Sequence, residues 1–66
     1  MRRHMENTNN PWQVYSYCKQ LTGISYRFDA LTEREKVDYL TREFPLADRE
    51  AIAEGVAEFE MARRMG

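Results

Sequence analysis

Histidine and cysteine are almost missing from this 66-residue chain, which holds one of each, His4 and Cys18. A single cysteine cannot close a disulfide within the chain. The pair cannot supply the four ligands of a usual structural zinc site either. Long apolar runs are missing too. None approaches the ~20 residues of a membrane-spanning helix or the shorter core of a signal peptide. Three glycines and two prolines are scattered, so no glycine-rich phosphate loop can be assembled. A nucleophile would find no adjacent base, because His4 lies in a polar leading segment and Cys18 on the inner face of a helix. These absences lead us to expect no enzyme activity, no metal, no cofactor and no membrane association. A lone thiol fits a reducing, cytoplasmic setting.

A strong net charge is also lacking, at −1 overall, but its distribution is uneven. Residues 1–28 carry Arg2, Arg3, Lys19 and Arg27 against Glu6. Residues 29–60 carry ten acids against Arg34, Lys36, Arg42 and Arg49, and Arg63 and Arg64 follow near the end. The centre is acidic and both ends are mildly basic. At this length the chain buries only about 60% of its unfolded surface, so a core of its own is small and a partner subunit would widen the margin.

What is present reads as helix. Residues 1–9 are polar and aperiodic, and are expected to form a disordered tail. The His4-Met5 pair reads equally well as a cloning remnant ahead of a start at Met5 or as native sequence. Asn10 is a good N-cap and Pro11 suits the first helical position. Gly23 offers a stop, so a first helix is expected over roughly residues 11–22, with Val14, Cys18 and Leu21 inward and Tyr17 beside them. Residues 24–28 then alternate apolar and polar, a period-two pattern. This predicts an extended connection packed under the helices, or else an edge strand that pairs with a second chain. Thr32 and Glu35 form a capping box that opens a second helix, roughly 33–44, with Val37, Leu40 and Phe44 inward. Pro45 ends it. Asp48 caps a long third helix, roughly 48–65, whose inner face gathers Ala51, Ile52, Gly55, Val56, Phe59 and Ala62. The fold class is all-α: a compact three-helix domain with a long C-terminal helix.

Three features stand out as candidates for function. Glu50, Glu54 and Glu58 stack on one outward face, where like charges four apart cost about 0.2–0.5 kcal/mol per pair. Met61 and Met65 continue that face, and flexible thioethers suit adaptable binding surfaces. The face is either solvated or a docking stripe for a protein with a basic surface. Ala51, Gly55 and Ala62 make a strip of small side chains for close helix packing, within the chain or in a homo-oligomer. Trp12, Tyr15 and Tyr39 fall outside the core stripes, and exposed aromatics are favoured interface anchors. The expected role is a small regulatory or protein–protein interaction module. DNA is the alternative partner, since two helices joined by a tight turn could form a helix-turn-helix. The acids on the would-be recognition helix weigh against it, because phosphate contacts need Lys or Arg.

Overall fold

Asn10 starts the first helix as its spacing suggests: its side chain accepts the Trp12 N–H at 2.9 Å, and Pro11 occupies the opening position of α1, Pro11–Ile24. The computed structural model describes residues 5–65. Within them the chain continues through a single-turn α2 (Tyr26–Asp29), α3 (Glu33–Glu43) and the long α4 (Arg49–Met65). No strand occurs among the described residues. The three long helices match the expected ones to within two residues at each end.

Residues 24–28 are neither an extended connection nor a strand. Gly23 does not stop α1, which runs one residue further to Ile24 without any glycine adopting a positive φ. Ser25 makes the break instead. Its extended backbone (φ −144°, ψ 103°) closes α1 by donating to Leu21 O at 2.7 Å, and its hydroxyl accepts the Phe28 N–H to open α2. Over so few residues a two-residue and a helical period are easily confused. Phe28 alone of the three apolar residues turns inward, while Ile24 and Tyr26 are 82% and 83% exposed.

The expected tail also needs narrowing. Residues 1–4 lie outside the described residues, but Met5 and Thr8 are buried. The Thr8 carbonyl accepts the Asp48 N–H at 2.8 Å, and the Thr8 and Gln13 side chains hydrogen-bond. This stretch therefore spans from the start of α1 to the start of α4.

The capping box forms as expected, with Thr32 N donating to Glu35 Oε1 at 2.8 Å and Glu35 N donating to Thr32 Oγ1 at 3.1 Å. Phe44 caps the C-terminus of α3, and Pro45 to Ala47 turn the chain tightly into α4. Asp48 then caps α4 by accepting the Glu50 N–H. Lys36 meets Glu60 while Glu33 meets Arg64, so α3 and α4 run antiparallel. Their shared core, completed by α1, consists of Met5, Val14, Cys18, Phe28, Leu40, Phe44, Ala47, Ile52, Val56 and Phe59.

Two inward positions differ from the expected stripes. Val37 is only partly buried, and Lys36 takes the inner place beside Leu40, fully enclosed. Its Nζ lies 2.9 Å from Glu60 Oε2, donates to Leu31 O at 2.8 Å and sits 5.6 Å from the centre of the Phe28 ring. Arg63 extends the cluster, pairing with Asp29 at 2.6 Å and Glu60 at 3.5 Å while lying over Phe59. Four charges thus join α2, α3 and α4. Second, Ala62 is exposed rather than on the core face.

Gly55 and Gly23 make opposite predictions. A Cβ on Gly55 would lie 2.5 Å from Val14 Cβ and 2.7 Å from Pro11 O, contacts that the α1 backbone cannot relieve without moving. Gly55→Ala should therefore lower the melting temperature, although alanine is favoured over glycine in a helix by about 1 kcal/mol. A Cβ on Gly23 meets nothing within 4 Å, so Gly23→Ala should raise it, at about 4–8 °C per kcal/mol for a domain this size. Equal shifts in thermal melts of the two variants would refute the close-approach account. Glu60→Gln should cost about 2 kcal/mol in urea titrations, since the enclosed Lys36 loses its charged partner. An unchanged midpoint would show that the pair is energetically idle.

Candidate functional site

The place where α1 begins decides which side chains meet. With Gly55 admitting the Pro11–Val14 turn so closely, the outer side of α1 lies beside the outer side of α4. Trp12, Tyr15, Glu58, Met61, Ala62 and Met65 there line an open groove of about 290 Å³. All six are residues that the sequence singles out, though for separate reasons.

The aromatic wall is a stack that runs from surface to core. Trp12 lies nearly parallel to Tyr15, with ring centres 5.2 Å apart and an interplanar angle of 11°. Tyr15 in turn meets Phe59 edge-on at 6.1 Å. Tyr15 is thus partly buried and holds Trp12, which remains 67% exposed. Lys19 reaches to 5.8 Å from the Tyr15 ring. The opposite wall is flexible: Met61 and Met65 are 58% and 82% exposed. An uncovered indole with two free thioethers is apolar surface that water solvates poorly.

Of the acidic row, Glu58 lines this groove, and Glu54 and Glu50 follow it toward the start of α4. Glu50, Glu54 and Glu58 are all exposed, and none forms an ion pair among the described residues. The cations at the end of α4 are engaged elsewhere, Arg63 with Asp29 and Glu60, and Arg64 with Glu33 at 3.6 Å. Glu58 therefore gives the groove an exposed carboxylate outside these ion pairs, with Lys19 standing by the Tyr15 ring.

The remaining candidates separate from it. Ala51 is buried, Gly55 packs against the chain's own α1, and Ala62 lines the groove instead of continuing their strip. Tyr39 stands on α3, 41% exposed, with its ring tilted over Phe28 at 5.7 Å. It takes no part in the groove. Exposed apolar side chains also occur at Ile24 and Tyr26, in the alternating segment, and at Leu46, which sequence reasoning did not single out.

No protein-family model matches this chain, and no curated protein or solved structure is significantly similar to it. The geometry is left to speak for the site. Among the described residues no helix is long and apolar enough to cross a membrane, and no group of three or more His, Cys, Asp or Glu is placed to hold a metal ion.

Lys36 and Glu60 are the polar residues that sequence reasoning passed over. The signal was the four-residue spacing of Lys36, Leu40 and Phe44, which puts the lysine in line with two core residues. Cys18 lies within the electrostatic reach of both, but burial dominates and pushes its thiol from 9.0 up to about 12, with Lys36 opposing and Glu60 adding. The folded state thus favours the neutral thiol. Stability from this source is complete below pH 9, and declines as the pH rises toward 12 and only the unfolded thiol ionises. Near neutral pH, iodoacetamide should modify Cys18 only as fast as the protein opens, and urea should accelerate the reaction steeply. Alkylation of the native protein at the rate of a free thiol would contradict the burial.

Proposed function

We propose that this protein is a small non-catalytic interaction or regulatory module, which binds another protein through the groove between α1 and α4 and its acidic margin. The observation that carries this reading is the meeting of Trp12, Met61 and Met65 in one open groove beside Glu58. Aromatic and methionine side chains are enriched where protein interfaces concentrate their binding energy. A volume of about 290 Å³ is at the small end for a cofactor or metabolite site, yet sufficient for one or two side chains of a partner. The reading places the protein in the cytoplasm, in keeping with its single reduced and buried cysteine. It does not draw on Ala51 and Gly55 for self-association, because both are buried within the chain, Gly55 against α1.

DNA binding is the second reading; it rests on the tight turn between α3 and α4, whose antiparallel course departs from the roughly 90–120° crossing of a helix-turn-helix. It would present Glu50, Glu54 and Glu58 to the phosphates, so binding there would begin with repulsion.

A tagged pull-down from the native host, with and without nuclease, separates the two. The expected result is a stoichiometric protein that survives nuclease and is lost with Trp12→Ala, while Tyr39→Ala retains it. Recovery of DNA, with any protein lost on nuclease treatment, would replace this reading with the second one.

A further inference from the structure

We infer that the occupant of the groove is a basic amphipathic helix whose cations repeat every four residues; the inference rests on the groove being a protein-binding site. The first ground is register. Glu50, Glu54 and Glu58 follow one another at about 6 Å along the axis of α4, the rise of four helical residues. A partner helix lying along α4 with Lys or Arg at the same interval would meet all three carboxylates at once. The second ground is charge balance. The described ion pairs join Lys36, Arg63 and Arg64 to Asp29, Glu33 and Glu60, and none reaches the row.

The third ground is the chemistry beside the row. Trp12, Met61, Ala62 and Met65 make an apolar slot immediately next to Glu58. A helix with a basic edge and an adjoining apolar stripe could fill both together, as amphipathic helices do in hydrophobic grooves. Met61 and Met65 can adjust to different apolar side chains, and the exposed Trp12 ring can also receive the stem and head of a lysine or arginine. A second copy of this chain fits less well. Meeting the same face across a two-fold axis, it would set one row of glutamates against the other.

Trp12 is the only tryptophan, so its fluorescence reads occupancy of the slot directly. The probe is a tryptophan-free synthetic peptide of about 18 residues, long enough for a helix. It carries lysine at every fourth position along one edge and leucine on the neighbouring stripe. The control carries glutamate for each lysine. The lysine peptide should shift Trp12 emission to the blue and saturate, while the glutamate peptide should not. Replacing Glu50, Glu54 and Glu58 together with Gln should weaken binding by about tenfold, as expected for three exposed charge pairs. Raised salt should weaken it in the same direction. All three positions are exposed, and an unchanged circular-dichroism melt would confirm an intact fold.

Equal binding of the glutamate peptide, unweakened binding by the Gln variant, or no shift with the lysine peptide would each overturn the inference. So would a blue shift that appears on concentrating the protein alone, which would assign the groove to a second copy. The pull-down keeps the two levels apart. A host protein lost with Trp12→Ala but held by the Gln variant would preserve the protein-binding reading and remove the basic helix. Loss of both the peptide response and the Trp12-dependent partner would remove the two together.

Discussion

The approach of α1 to Gly55 is the contact on which the rest of the molecule is arranged. With hydrogen in place of a methyl, the Pro11 carbonyl and the Val14 side chain come within a distance that no Cβ would tolerate. That seat brings Val14 and Cys18 into the core and, on the same helix, sets Trp12 and Tyr15 beside the outer face of α4. Core and groove are two sides of one docking event. A shift of α1 by a few tenths of an ångström would loosen the packing at Val14 and open the slot at Trp12 together. The cost is a glycine inside a long helix, worth about 1 kcal/mol against alanine, offset by the burial that the close approach permits.

The other half of the structure is held differently. Between α2, α3 and α4 the chain encloses Lys36 and links it to Glu60, Arg63 and Asp29, with Phe28 and Phe59 as walls. A buried ion pair gains little over a well-packed apolar pair, but is costly to break from one side only. Its contribution is therefore to geometry more than to net stability: one register of α3 against α4 brings Lys36 to Glu60. It also holds Arg63 against Asp29 and Glu60, on a different face of α4 from the exposed acidic row.

Much of this was legible in the sequence. Asn10-Pro11, the Thr32–Glu35 box and Asp48 mark helix starts by chemistry that is local, so they can be read without tertiary knowledge. Trp12, Tyr15, Glu58, Met61 and Met65 were each identifiable as residues outside the core stripes. That they share one groove was not, because it depends on how far α1 slides along α4, and only the contact at Gly55 fixes that. Lys36 was hidden because its type argues for solvent while its position argues for the core, and residue type is the weaker guide when an acid waits on the facing helix. Residues 24–28 misled for a simpler reason. Five residues are too few to separate alternation from a helical turn interrupted at Ser25. At the N-terminus polarity suggested a tail, but Met5 is buried in the core and Thr8 finds a partner at the start of α4, far away in sequence.

The connectivity has a consequence for the order in which the molecule assembles. α3 and α4 are joined by a turn of a few residues and can meet soon after either forms. α1 finds its seat only by closing about forty residues of chain between Val14 and Gly55, and loop entropy opposes that step more. The natural sequence of events is a hairpin of α3 and α4 first and the arrival of α1 last. The wall that carries Trp12 would then be the last part of the protein to exist, and the first to leave when it opens.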